Sequence, residues 1–211
     1  MKKMEKNYFI PAVCLFLMQA PVIASAESDT TTGVVTETTV TPTPVPAKNG
    51  VIKEKNKLYY YKNGVKQKNC WDPTRTYYFD KKGVAVTARK AYGSKQNIVT
   101  KKIGKKTYGF DVNGRKVKNG VYADAKGKAY YFDKKGVLSA KKSKRINAAA
   151  KPMSTTGSTL RKLLGKPIRT KSAKSCMSGV KKDYRWIYSH IIVQVGKQTN
   201  GAFLVYGIQA R

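Results

Sequence analysis

Between residues 48 and 147 the apolar positions come in short bursts of aromatic residues, each ending in a polar turn closed by glycine. The octapeptide YYFDKKGV shows this most sharply, at 77–84 and again, unchanged, at 130–137. Aligned on it, four copies appear: LYYYKNGV at 58–65, TYYFDKKGV at 76–84, TYGFDVNGR at 107–115 and AYYFDKKGV at 129–137. Their glycines, Gly64, Gly83, Gly114 and Gly136, are spaced 19, 31 and 22 residues apart. A period near twenty with one longer insertion marks a repeat array.

Each copy has a mechanical reading. In Tyr77-Tyr78-Phe79 alternate rings point to opposite faces of a strand, and aromatic residues suit strands. Asp80 favours turn initiation, and Gly83 can take the positive φ that a short hairpin loop needs. Val84 and Val86 restart a strand. A single hairpin is marginal in water. Stacked hairpins let the rings of one copy cover those of the next, building a narrow continuous core. The predicted fold is therefore mainly β: a tandem, solenoid-like β-hairpin repeat stack, followed by a small α+β domain with an antiparallel sheet.

The second part of that prediction rests on residues 148–211. Ser154 to Ser158 offer helix caps, and 159–164 reads as a short amphipathic helix stopped by Gly165 and Pro167. Three β-type runs follow, at 184–188, 190–195 and 202–208, with a hairpin loop at 196–201. One helix on a three- or four-stranded sheet fits this length. Ala148 to Lys151, before Pro152, reads as the joint between the two parts.

The remaining N-terminal residues have another pattern. Lys2, Lys3 and Lys6 precede an apolar run at 8–23 broken by Pro11, Gln19 and Pro21, and Ala24-Ser25-Ala26 fits a small-x-small cleavage site. Residues 1–26 read as a secretory signal peptide rather than a membrane anchor. Residues 27–47, Thr- and Pro-rich with three acids and no Lys or Arg, read as an extended linker. With no apolar tail or sorting motif before Arg211, the mature protein is expected outside the cell, without a covalent anchor and without a transmembrane span.

Charge then narrows the partner. The formal net charge is +32 from 43 Lys and Arg against 11 Asp and Glu. Residues 48–147 hold 28 Lys and Arg against 6 acids, and 148–211 hold 12 against Asp183 alone. Self-repulsion at this density costs stability, so an anionic partner is expected. Lys81, Lys82, Lys134 and Lys135 fall on equivalent turns and are candidate contacts to phosphate or carboxylate polymers.

The copies resemble the cell-wall-binding repeats of Gram-positive surface proteins, the group that includes choline-binding and glucan-binding repeats. The family pattern is G-W, a short variable stretch, W-Y-Y-hydrophobic, a turn with N-G or D-x-x-G, then a short strand. The resemblance covers about residues 49–146. It implies a non-catalytic extracellular module that attaches to envelope polymers or glycans. In the choline-binding members, cages between repeats are built from the Trp of G-W and the W-Y-Y aromatics, which attract a quaternary ammonium through their ring faces. Here the G-W positions read Gly50-Val51, Cys70-Trp71, Ala91-Tyr92 and Gly120-Val121, and the first W reads Leu58, Thr76, Thr107 and Ala129. These departures, with the positive charge, argue against choline. Trp71, Tyr78, Tyr92 and Tyr131 remain as ligand-stacking candidates. Tyr59, Tyr60, Tyr77, Tyr108 and Tyr130 suit both stacking core and outward sugar contact. The last 64 residues are also similar to a small α+β module at the ends of other secreted Gram-positive proteins, which implies little beyond fold.

Catalysis finds no support in the C-terminal residues. A glycosidase needs two positioned carboxylates, and Asp183 is alone there. A metal site needs several His, Cys or carboxylate ligands. Cys176 is expected as a packed thiol and His190 as a strand-surface residue. Trp186, Tyr188, Phe203 and Tyr206 are expected in the core and on the sheet. Cys70 and Cys176 are expected to stay unpaired, and no cofactor is implied. The reading is a secreted, non-enzymatic, wall-associated protein whose repeats bind teichoic acid or another anionic glycan. Alternatives are an extracellular nucleic-acid or matrix-polyanion binder, or a protein-binding adhesin or inhibitor acting through the C-terminal domain.

Overall fold

The computed structural model describes residues 47–90 and 96–211. The expected signal peptide, all but the last residue of the expected linker, and Tyr92 lie outside the described residues.

The described residues are mainly β, and among them are several small antiparallel sheets, two helices and no closed barrel. Strands β1 (Gly50–Glu54), β2 (Lys57–Lys62) and β3 (Val65–Lys66) form the first repeat. The second pairs β4 (Cys70–Trp71) with β5 (Tyr78–Phe79), and the third pairs β6 (Val99–Ile103) with β7 (Lys106–Phe110). The fourth pairs β8 (Gly120–Ala123) with β9 (Ala129–Phe132). A further β-bridge closes each later repeat, from Phe79 to Ala85, Phe110 to Lys116 and Phe132 to Leu138. Each rung is thus two short strands and a third returning segment.

One backbone hydrogen bond recurs between rungs. The N–H two residues after the phrase glycine donates to the carbonyl at the first phrase position of the rung before. Ala85 donates to Leu58 at 2.9 Å, Lys116 to Thr76 at 2.8 Å and Leu138 to Thr107 at 2.9 Å. The fourth phrase residue of every copy is buried: Tyr61, Phe79, Phe110 and Phe132. These rings form the inner line of the stack. Ring contacts also pass between rungs, Tyr60 to Phe79 at 5.9 Å and Trp71 to Phe110 at 5.8 Å between centroids.

The turns are built by aspartate. Asp80 Oδ1 accepts from the N–H of Lys82 and Val84, Asp111 Oδ1 from Asn113 and Arg115, and Asp133 Oδ1 from Lys135 and Val137. The phrase glycines Gly83, Gly114 and Gly136 all sit at φ between +75° and +81°, where a side chain is penalised. The same device appears a further time inside the fourth repeat. Asp124 Oδ1 accepts from Lys126 and Lys128, and Gly127 takes φ +80°. The phrase alignment misses this copy because Ala123, not an aromatic, stands immediately before Asp124.

The third repeat corrects one part of the sequence alignment. The G-W positions pair with the fourth and third phrase residues: Gly50 with Tyr61, Cys70 with Phe79 and Gly120 with Phe132. In the third repeat Val99 pairs with Phe110 and Thr100 with Gly109. Val99-Thr100, not Ala91-Tyr92, therefore holds that position, because the insertion ends later than the spacing suggests. Gly109 itself replaces the second aromatic for lack of room. A Cβ built there would lie 2.5 Å from Phe132 Cζ and 2.7 Å from Val117 Cγ2.

Helix α1 (Ala140–Ala149) follows the fourth repeat, then α2 (Gly157–Leu164), which matches the predicted helix. A four-stranded antiparallel meander completes the chain: β10 (Arg169–Lys174), β11 (Val180–Ile187), β12 (Ile191–Gln198) and β13 (Phe203–Ala210). Trp186, Val193, Val195 and Val205 fill its inner face together with Leu160 and Ile146. The same core includes Ala123 and Ala129 of the fourth repeat. On α1, Ser143 Oγ accepts from the Tyr131 N–H, and Asn147 both accepts from the Ala129 N–H and donates to the Ala129 carbonyl. The composition boundary at 147/148 thus falls within a helix that ties the last rung to the final sheet.

Candidate functional site

Charge on the repeats is left largely uncompensated, and the reason is local. The described carboxylates are Glu54, Asp72, Asp80, Asp111, Asp124, Asp133 and Asp183. Four serve the turns. Asp72, buried, accepts from the N–H of Thr74 and Tyr77 and from the Thr74 hydroxyl. Asp183 accepts from the Tyr206 hydroxyl at 2.6 Å. Only Glu54 meets a lysine: Lys48 Nζ to Glu54 Oε1 at 2.7 Å is the single ion pair among the described residues. The acids are turned toward backbone donors, while Lys81, Lys82, Lys134 and Lys135 stand exposed on the turns that the acids hold.

The ring candidates do not form one site. Trp71 and Tyr78 are half-buried, with centroids 5.4 Å apart, and Tyr108 of the next rung closes on Trp71 edge-on at 5.1 Å. The open side of this group is taken by the protein itself. Lys116 Nζ lies 5.1 Å from the Trp71 centroid and 6.0 Å from that of Tyr108, and the Arg75 guanidinium lies 5.6 Å from Trp71. Burial, then the nearby Arg75 and Lys118, push the Lys116 ammonium below its ordinary pKa. The first rung repeats the arrangement two residues after its own phrase glycine, with Lys66 Nζ 4.0 Å from the Tyr59 centroid. Cationic side chains of the chain thus cover ring faces that an external ammonium would need.

Tyr131 lies elsewhere, half-buried under Lys142 Nζ at 4.2 Å from its centroid. It lines a recess of about 300 Å³ between the fourth repeat and the final sheet, with Val121, Leu163, Ile168, Tyr188 and His190. Two C-terminal expectations are corrected here. His190 is not a free surface residue: it stacks on Tyr122 with centroids 4.1 Å apart and 13° between planes, and its Nδ1 lies 3.1 Å from Gln96 Oε1. Cys176 is exposed rather than packed, because the β10–β11 connection has no cover, while Cys70 is half-buried; both are free thiols. Trp186 and Tyr188 are buried, Phe203 packs on Trp186 at 5.2 Å, and Tyr206 caps Asp183 on the sheet. Among the described residues no helix is long and apolar enough to cross a membrane, and no group of three metal-ligating side chains converges.

No family model matches this chain, and no curated protein matches it. Solved structures do. Truncated alternansucrase from Leuconostoc mesenteroides NRRL B-1355 is 30% identical over 44% of this chain and 8% of its own, with a TM-score of 0.36. The pneumococcal cell wall endolysin from phage Cp-1, complexed with choline, is 16% identical over 76% of this chain and 39% of its own, with a TM-score of 0.35. The modular Cpl-1 endolysin complexed with a peptidoglycan analogue is 18% identical over 75% and 38%, also at 0.35. This chain spans less than half of each of them, and TM-scores this low define no shared overall fold.

Proposed function

We propose that the chain is a secreted, non-catalytic protein that attaches through its repeats to anionic polymers of the cell envelope. One observation carries this reading: apart from Glu54, which pairs with Lys48, the described carboxylates of the repeats are bonded to backbone N–H groups, and the exposed lysines on their turns, Lys81, Lys82, Lys134 and Lys135, make no ion pair among the described residues. Unpaired ammonium groups at this density repel one another and hold a diffuse layer of counterions. A polyanion that replaces those counterions gains their release entropy and relieves the repulsion.

The carboxylates also support a non-catalytic role. Each described carboxylate is committed to a turn, a phenol or a lysine, whereas glycoside hydrolysis requires two carboxylates facing the substrate. The N-terminal basic, apolar and small-x-small pattern supports secretion.

The test is retention of the full chain on purified Gram-positive walls, native or stripped of their phosphate polymers, with duplex DNA as competitor. Retention on native walls that is lost on stripped walls is expected. Equal retention on both, or complete displacement by DNA at matched phosphate, contradicts the reading.

A further inference from the structure

We propose that a groove crossing the first three rungs is the polymer seat, and that it takes a linear phosphodiester chain with hydroxyl-bearing spacers. The proposal rests on the reading of the repeats as polyanion binders and names the site.

The groove encloses about 720 Å³ and is lined by Lys53, Lys57, Lys90 and Arg115, by Asn56 and Asn113, and by Tyr77, Val84, Ala85 and Thr87. Among the described residues four cations line it and no carboxylate does. The nearest acids by sequence face away: Glu54 binds Lys48 and accepts from the Tyr61 hydroxyl, and Asp111 binds its own turn.

The groove is a product of the stacking rather than of one loop. Lys53, Asn56 and Lys57 come from the β1–β2 hairpin, whose turn residues Lys55 and Asn56 both take positive φ, 45° and 62°. Arg115 and Asn113 come from the turn of the third rung. The Ala85-to-Leu58 and Lys116-to-Thr76 backbone bonds fix the rungs against each other. Gly114 lets the third turn close on the second rung, since a Cβ there would lie 3.0 Å from Thr87 Cγ2 and 3.6 Å from Tyr77 Cδ1. The Arg115 Nε donates to the Tyr77 hydroxyl at 3.4 Å. That contact orients the guanidinium and leaves its outer nitrogens for a phosphate, which suits the planar fork.

The ligand class follows from the chemistry of the lining. Cations answer phosphates, and the Asn56 and Asn113 amides can both donate to and accept from hydroxyl groups between them. Nucleobases would need aromatic platforms, and the lining offers only Tyr77. A polyol or sugar phosphate chain therefore fits the groove better than a nucleic acid strand.

The experiment compares two fourfold variants of the full chain, equal in net charge. One carries Lys53→Gln, Lys57→Gln, Lys90→Gln and Arg115→Gln. The other carries Lys171→Gln, Lys174→Gln, Lys181→Gln and Lys182→Gln on the final sheet. The probes are purified poly(glycerol phosphate) and oligothymidylate of equal phosphate count. The groove variant is expected to lose about tenfold or more in affinity for poly(glycerol phosphate), and the sheet variant about threefold or less. The single change Tyr77→Phe at this half-buried residue, which leaves the ring in place, should weaken binding a few-fold and so reports even where the fourfold variant folds poorly. Equal losses in the two fourfold variants, with no effect of Tyr77→Phe, overturn the groove while leaving polyanion binding intact. Tighter binding of oligothymidylate overturns the ligand class. Absence of binding of either probe by the unaltered chain overturns the parent reading itself.

Discussion

The ammonium nitrogen of Lys116 lies 5.1 Å from the centre of the Trp71 ring. The stem of Lys116 runs over Gly136 of the next rung, so that a Cβ there would lie 3.2 Å from Lys116 Cδ. Three rungs thus meet at one side chain. A soluble quaternary ammonium such as tetramethylammonium should leave the tryptophan emission of the native chain unchanged, because the ring face is already covered. Lys116→Ala should uncover it and make the emission respond. Trp186 is 1% exposed and contributes no such response. A native chain that responds as strongly as the variant contradicts this arrangement.

Gly109 should not tolerate even one methyl group. Its φ is ordinary, so the obstacle is space: Phe132 and Val117 occupy the position a Cβ would take. Gly109→Ala should destabilise the chain by about 1–3 kcal/mol, the usual cost of overpacking, measured by urea denaturation. A neutral outcome would show that the third and fourth rungs are not in this register.

These two positions show how unevenly the sequence carries the fold. The Asp-x-x-Gly turns were legible because their chemistry is local: one carboxylate, two N–H groups and one positive φ. The copy at Asp124 obeys the same chemistry and was missed only because Ala123 stands where a ring usually does. Strand β10 was not legible, since all six of its residues are exposed and only pairing with β11 makes it a strand. Helix α1 hid for a related reason. Its hold on the fourth rung runs through Ser143 and Asn147 to backbone groups, which leaves little hydrophobic period to read. The groove is less legible still, because its cations come from three rungs and meet only when the rungs stack.

His190 is the chain's only histidine, so its titration can be followed without assignment. Burial, then the nearby Arg211, lower its pKa from the ordinary 6.5. Protonation is therefore disfavoured in the folded state. The sign follows from linkage: the stability this group contributes is fully present above 6.5 and is lost as pH falls through its lower folded value. Its ring-proton NMR titration should show a midpoint below 6.5, and a midpoint at or above 6.5 would mean that the ring is not stacked under Tyr122.

Two tyrosines should titrate late. Tyr130 is pushed up to about 12, first by burial and then by its hydrogen bond to Asp124. Tyr188 is pushed up to about 12 by burial, against a lowering by Arg161. Both pKa values are raised above the ordinary 10.0, so the stability these groups contribute is intact below pH 10 and is lost between 10 and about 12. Phenolate absorbance should show a component rising near 12, and Tyr130→Phe and Tyr188→Phe should each remove one tyrosine's worth of it. Loss of that component in neither variant counts against the burial of both hydroxyls.

The central claim is that unpaired ammonium groups on the stacked rungs hold the protein to an anionic polymer, and binding to teichoic-acid-bearing walls across a salt series tests it most directly. Each cation that displaces a counterion contributes about 0.7–0.9 to the magnitude of the slope of log affinity against log salt. Four groove cations alone predict a slope of about −3, and further rung lysines make it steeper. An affinity unchanged between about 50 and 200 mM salt would contradict the account.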